Sequence, residues 1–237
     1  MKFKLLASSV LMAGALMGSG TASAIVFATG TYNDWVGATM TLFGGATQVG
    51  STVTDADGDM TLTAASALTG DLIGHGDLIA VTLAEVEVNG VDLYTVSFDF
   101  HGFNGGDGYN GTGGNIEYSL TSLAPDEWIA SARLDTDVTG GLATTIVTKD
   151  LYDNPDFTNG HFLQLTSING QQDPLVGHAS FDARQTVYVK DTLTGGGAYI
   201  THVDNQFDVP EPTTMIMLGL GLAAFGYSRR GAKGLSA

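Results

Sequence analysis

The sequence predicts an all-β protein whose folded part is an antiparallel β-sandwich of jelly-roll or immunoglobulin-like kind. Three observations lead to this prediction. Short runs rich in β-branched and aromatic residues recur at near-regular intervals, with Gly, Pro, Asn or Asp between them. The threonine-rich residues 41–63 lack the spacing of three and four between apolar residues that indicates a helix. Asn89-Gly90 joins two of the runs, and this residue pair is typical of a two-residue hairpin turn.

Residues 1–24 have the pattern of a secretory signal peptide. Lys2 and Lys4 precede a short apolar run over residues 5–17, and the segment ends with the small residues Ala22 and Ala24 around Ser23. The apolar run is too short for a membrane-spanning helix. We therefore expect export and cleavage before residue 25, with signal peptidase as a partner.

The first half of the predicted domain, residues 25–208, contains short strands and one long hairpin. The predicted strands before the hairpin are residues 25–30, 38–43 and 59–65, and the turn-forming Tyr32-Asn33-Asp34 separates the first two. No helix is expected. A two-residue turn at Asn89-Gly90 predicts a hairpin over residues 78–100 in which Val88 faces Val91, Val86 faces Leu93, Leu83 faces Val96 and Val81 faces Phe98. Its apolar positions change faces midway, as expected for a long, twisted hairpin.

The second half begins with a loop over residues 101–114, which is dense in Gly and Asn. The predicted strands that follow are residues 115–123, 127–134, 142–149, 161–168, 181–190 and 198–203. Residues 181–190 alternate most clearly between apolar and polar side chains, which predicts one strand with one buried face. Asn169-Gly170 predicts a second tight turn.

The predicted domain is strongly acidic. The chain has a formal net charge of -16, and all but one of its 25 acidic residues lie within residues 25–208. The cations of that range are Arg133, Lys149, Arg184 and Lys190. This balance excludes nucleic acid as a partner, because no cationic surface can replace the counterions of phosphate. The chain contains no cysteine, so the domain is expected to be stabilised by burial and not by disulfides.

One acidic turn has the residue types of a calcium site. Asp55, Asp57 and Asp59 alternate with Ala56 and Gly58, so their carboxylates can converge on a hard cation. The turn is not the loop of a helix–loop–helix calcium site, since Met60 and Ser66 occupy the positions of its invariant Gly and Glu. Two hypotheses stay open: a calcium site, or a solvated turn that needs no metal.

The candidate functions from other classes are a carbohydrate-binding module and a hydrolase. The aromatic residues that could form a sugar-stacking platform are Tyr32, Trp35, Tyr109, Trp128 and Tyr199. No serine lies in a Gly-x-Ser-x-Gly turn, and the five histidines show no close pair of the kind that structural zinc sites use. The expectation is therefore a protein without catalytic residues and without a cofactor, or with calcium alone.

The last segment, residues 209–237, begins at Val209 and continues with Pro210, Glu211 and Pro212, an uncharged apolar run, and Arg229-Arg230. A helix over residues 213–227 would be about 22 Å long, against about 30 Å for the hydrocarbon core of a bilayer. The paired arginines are expected on the cytoplasmic side. We therefore predict a short C-terminal hydrophobic helix that enters the inner membrane transiently.

This order of acidic tripeptide, apolar run and basic pair resembles the PEP-CTERM sorting signal of Gram-negative bacteria. The resemblance implies that an exosortase, a membrane transpeptidase-like protease, cleaves at or near Pro210-Glu211-Pro212 while Arg229 and Arg230 stay in the cytoplasm. It also implies a destination in the outer envelope or extracellular matrix, in a setting of exopolysaccharide, biofilm or floc. The expected function is a structural or adhesive one; the alternatives are a calcium-supported carbohydrate-binding module and a secreted hydrolase.

Overall fold

A computed structural model of the chain describes residues 24–65, 67–88, 91–103, 108–140 and 144–210. The predicted hydrophobic helix over residues 213–227 lies outside these residues, as does nearly all of the predicted signal peptide. Within the described ranges, no helix is both long and apolar enough to cross a membrane.

The described residues form strands, one short α-helix and one turn of 3₁₀ helix. The strands of the first half are β1 Ile25–Thr31, β2 Thr41–Leu42, β3 Thr47–Val49, β4 Thr52–Thr54, β5 Met60–Ala64, β6 Thr69–Gly70, β7 Ile79–Glu87 and β8 Val91–Phe100. Those of the second half are β9 Gly114–Ser122, β10 Ile129–Thr139, β11 Ile146–Tyr152, β12 His161–Ile168, β13 Ala179–Arg184, β14 Thr186–Thr194 and β15 Tyr199–Pro210. The helix α1 is Tyr32–Gly37, and the 3₁₀ turn is Gly76–Leu78.

The strands form two antiparallel sheets, which confirms the predicted all-β sandwich. The first sheet has seven strands in the order β13-β10-β15-β8-β7-β1-β2. The second has eight, in the order β12-β11-β14-β9-β5-β4-β3, with β6 paired to β9. Inward-facing apolar residues of both sheets form one core. These sheets hold more strands than a jelly roll or an immunoglobulin domain, which have about eight and about seven to nine in total.

The long hairpin has the predicted register. Val86 pairs with Leu93, Leu83 with Val96 and Val81 with Phe98, and the backbones of Val88 and Val91 hydrogen-bond each other in both directions. The predicted turn residues 89 and 90 lie outside the described residues, but a two-residue connection is the one that produces this register. The register of the two strands therefore agrees with the one that the residue pair predicts.

A short helix was missing from the prediction, which placed a turn at Tyr32-Asn33-Asp34. Thr31 caps α1: its hydroxyl accepts a hydrogen bond from the Asp34 backbone, and the Asp34 carboxylate accepts one from the Thr31 backbone. This reciprocal capping box stabilises a helix too short to show a periodic pattern. The predicted strand over residues 38–43 is reduced to β2, because Ala38 ends the helix in the left-handed conformation.

The predicted strand over residues 181–190 is wrong in one respect: it is two strands. β13 pairs with β10 in the first sheet, whereas β14 pairs with β11 and β9 in the second. The chain crosses between the sheets at Gln185, whose carbonyl accepts a hydrogen bond from the Ser122 backbone. The alternation of apolar residues continues through the crossing, because both strands present one face to the same core.

The chain enters and leaves the sandwich at the same end. Ile25 pairs with Glu85 in β7, and Pro210 pairs with Val91 in β8, so both lie near the tip of the long hairpin. β15 includes Val209 and Pro210, the first two residues of the segment predicted for sorting. Val209 is buried and Pro210 is exposed. The last described strand therefore ends at the surface of the sandwich, at the same end as the start of β1.

Candidate functional site

The acidic turn between β4 and β5 is the clearest cluster of possible metal ligands among the described residues. One carboxylate oxygen each of Asp55, Asp57 and Asp59 lies within 4.8 Å of the others. Two oxygens bound to one calcium ion, each at about 2.3–2.6 Å, can be at most about 5 Å apart. The spacing therefore lies within the limit for three oxygens that share one calcium ion.

The three aspartates have different surroundings. Asp55 is 2% exposed, and its carboxylate accepts hydrogen bonds from the backbone of Gly58 at 3.0 Å and of Met60 at 3.1 Å. Asp57 is exposed, and Asp59 is partly exposed. Asp55 therefore holds the turn in shape, while Asp57 and Asp59 present oxygen atoms to the solvent side.

Tyr94 and Glu85 approach the acidic turn from the opposite sheet, and no local sequence pattern marks them as part of this site. The Tyr94 hydroxyl is 3.0 Å from a carboxylate oxygen of Asp55 and 3.0 Å from one of Asp59. Glu85 is the register partner of Tyr94. Both occupy the inward face of the predicted hairpin, but only the packing of the two sheets brings that face to the acidic turn.

The electrostatics of this end are unfavourable for carboxylates. Burial, followed by the charges of Asp57, Asp92, Asp55 and Asp59, raises the pKa of Glu85 to about 7. Burial, followed by the neighbouring carboxyl of Asp59, also raises the pKa of Asp55. Every charge that raises the pKa of Glu85 is a carboxylate, so a bound cation would relieve the repulsion.

The aromatic platform suggested for sugar stacking is not formed. Tyr32, Trp35 and Tyr109 are each at most 1% exposed and belong to the core. Trp128 is 41% exposed and lies next to β10 at the end where the chain enters. Tyr199 pairs with Thr139 at the other end of β10. Tyr32, Trp35 and Tyr109 fill the sandwich, a role that the sequence pattern does not distinguish from ligand binding.

Three of the histidines lie against three different aspartates. His202 Nδ1 is 2.7 Å from Asp99, His161 Nε2 is 3.2 Å from Asp150, and His178 Nδ1 is 3.4 Å from Asp208. His75 packs against the ring of Phe103 instead. Within the described ranges, the group of side chains that could bind a metal ion is thus the acidic turn and not a set of histidines.

Residues 208–230 match the family model described as PEP-CTERM protein-sorting motif. The match includes the sequence-predicted sorting residues Pro210, Glu211, Pro212, Arg229 and Arg230. No curated protein and no solved structure matches the chain.

The fold and the motif together define the class of protein. The described residues form an all-β, two-sheet domain, and its last strand runs directly into the motif. The chain is an exported, envelope-associated protein that carries a PEP-CTERM protein-sorting motif, and the motif implies an exosortase as its partner.

Proposed function

We propose that this protein is a structural or adhesive component of the outer envelope or extracellular matrix, released there after an exosortase cleaves near Pro210-Glu211-Pro212. The observation that carries the proposal is the direct continuation of β15 into the sorting motif. Because the described strands lie between residues 25 and 210, cleavage of both terminal segments would leave the sandwich intact. An exopolysaccharide or biofilm setting suits its acidic surface, which keeps an extracellular protein soluble.

The opposite end of the sandwich is the one presented away from the membrane during sorting. It carries the connections that follow β8 and β10 and the one that precedes β15. The apolar side chain of Ile73 is 67% exposed at this end, in the loop between β6 and the 3₁₀ turn. Contacts of such loops with matrix polymers would give an adhesive role without an enzyme site.

Replacing Pro210, Glu211 and Pro212 with alanine is expected to leave uncut precursor in the inner membrane. Without the motif, the exosortase has no segment to recognise. Cell fractionation and mass spectrometry of the mature termini measure the result. The unmodified protein should begin at residue 25 and end near Pro210, and only the unmodified protein should restore matrix cohesion to a deletion strain.

A matched control replaces Pro125, Asp126 and Glu127 with alanine, since this turn is also acidic and contains a proline. The control should be processed and released normally. Normal release of the Pro210-Glu211-Pro212 variant would contradict sorting by this motif. Normal processing without any loss of matrix cohesion in the deletion strain would contradict the structural role alone.

A second candidate is a calcium-supported carbohydrate-binding module, which the convergence of Asp55, Asp57 and Asp59 favours. Calcium would lower the repulsion at this end and would fix the acidic turn beside Tyr94. Sugar hydroxyls could then complete the coordination of the ion, which would make binding depend on calcium.

Calcium at about 100 times its dissociation constant is expected to raise the melting temperature by about 4 °C or more, and a chelator should reverse this. Asp57→Ala should abolish the shift, because Asp57 is exposed and supplies a ligand without supporting the turn. Asp137→Ala removes the same charge near the C-terminal end of β10, away from the acidic turn, and should keep the shift. Equal melting temperatures of the unmodified protein with calcium and with chelator would overturn this candidate; glycan-array binding that survives the chelator would exclude calcium from sugar recognition.

A further inference from the structure

Three polar side chains meet in the core of the sandwich. Lys149, Asp191 and Asn205 each have 0% of their surface exposed. Lys149 in β11 and Asp191 in β14 are register partners within the second sheet. Asn205 is in β15 of the first sheet, and its Nδ2 donates a hydrogen bond to Asp191 Oδ2 at 2.8 Å across the sandwich. The pairing of β11 with β14 brings Lys149 to Asp191, and the stacking of the two sheets brings Asn205 to Asp191.

The amine of Lys149 reaches from the second sheet to the first. Nζ donates a hydrogen bond to the Arg133 carbonyl oxygen at 2.6 Å, and it lies 4.3 Å from the centroid of the Phe207 ring. Phe207 is two residues beyond Asn205 on the same inward face of β15. The amine therefore reaches the inward face of β15 two residues from Asn205, and its hydrogen-bond acceptor is a neutral carbonyl.

Burial favours the uncharged forms of both ionisable groups. It lowers the pKa of Lys149, and it raises the pKa of Asp191. A neutral amine is a nucleophile, whereas an ammonium ion is not. A protonated carboxyl can donate a hydrogen bond to a carbonyl oxygen, whereas a carboxylate cannot.

Some hydrogen-bonding capacity is unused in this cluster. Asp191 Oδ1, Asn205 Oδ1 and the Tyr118 hydroxyl are buried and make no hydrogen bond of ordinary geometry within the described part of the chain. The Tyr118 hydroxyl is the neighbour of Asp191 that could donate to its free oxygen. A half-turn of the Asn205 carboxamide would bring its oxygen to Asp191, where a protonated carboxyl would donate to it. Unpaired buried polar atoms are costly and therefore usually have a reason. A reaction among these groups would supply one.

We propose that Lys149 and Asn205 form an intramolecular isopeptide bond that joins the two sheets, with Asp191 as the catalytic residue. The neutral Nζ of Lys149 attacks Cγ of Asn205, while the protonated carboxyl of Asp191 polarises the amide oxygen. The bond between Nζ and Cγ forms, and the bond between Cγ and Nδ2 breaks. Asp191 passes a proton from Nζ to Nδ2, which leaves as ammonia. No oxidant or other reactant is needed.

The bond would take the place of the covalent cross-links that disulfides provide in other exported proteins. The chain has no cysteine, and an amide between β11 and β15 would restrict the unfolded chain in the same way as a disulfide. The fold would supply the rate, because groups that it confines to one part of the core react at a high effective concentration. This inference is independent of the proposed role in the envelope or matrix.

Mass spectrometry of a tryptic digest tests the proposal on the protein isolated from cells. The bond blocks cleavage after Lys149, so the peptide of residues 134–184 should be joined to the peptide that begins at residue 191. The pair should weigh less than its two parts by one ammonia. Separate peptides of residues 134–149 and 150–184 in folded protein would overturn the proposal, and so would a link from Lys149 to Asp191 with loss of water.

Variants separate the roles of the three residues. Asp191→Asn keeps the volume and should lower the linked fraction at least tenfold, and Lys149→Arg should abolish the link. Asp150→Asn changes the neighbouring residue on the outer face of β11 and should leave the link unchanged. A merely structural Asp191 would leave the linked fraction of folded protein unaltered, so full linkage in folded Asp191→Asn would remove its catalytic role.

Discussion

Replacing Trp35 with alanine is expected to lower the free energy of unfolding by about 3–5 kcal/mol, a large part of the stability of about 5–15 kcal/mol that a domain has. Trp35 is 0% exposed, and its ring packs against Tyr32 and Tyr118, with ring centroids 6.3 and 6.0 Å away. Tyr118 belongs to β9 of the second sheet. Trp35 therefore joins the helix α1 to β9, a contact that the pattern of strands in the sequence does not predict.

Trp128 provides the matched control, because the chain has only two tryptophans. Its side chain is 41% exposed, so Trp128→Ala should cost about 1 kcal/mol or less. Urea unfolding followed by circular dichroism measures both variants, since fluorescence would report a different tryptophan in each. Equal losses for the two variants would show that α1 does not contribute to the core as described.

Asp55→Ala is expected to lower the free energy of unfolding by about 2–4 kcal/mol in calcium-free buffer, because three donors each lose a hydrogen bond and the buried backbone of Met60 loses its acceptor. These donors are the backbones of Gly58 and Met60 and the hydroxyl of Tyr94. Removal of the carboxylate also relieves some repulsion with Asp59, which keeps the loss below the full sum of the hydrogen bonds.

Asp57→Ala is the control in the same turn and should change the stability by about 0.5 kcal/mol or less without calcium, since Asp57 is exposed. Thermal and urea unfolding in the presence of a chelator compare the two variants. If Asp57→Ala were as damaging as Asp55→Ala under these conditions, the division of the turn into a supporting and a ligand-presenting aspartate would be incorrect.

Local patterns in the sequence predicted the features that depend on neighbouring residues. The pair Asn89-Gly90 predicted the observed register from Val81 opposite Phe98 up to Val88 opposite Val91, because a two-residue turn permits one alignment. The sorting motif was equally readable, since a membrane protease recognises it as a linear segment. Neither feature requires knowledge of distant parts of the chain.

The tertiary structure decided the features that depend on distant residues. Alternation could not reveal the crossing at Gln185, because the residues on both sides face one core. Nor could alternation show that Glu85 and Tyr94 approach the acidic turn, or that Lys149 reaches the strand that carries Asn205. The sequence by itself determined a β-rich, acidic, exported protein and its sorting motif. Only the stacking of two sheets, which sets contacts between strands far apart in the chain, decided which polar groups are buried together and can react.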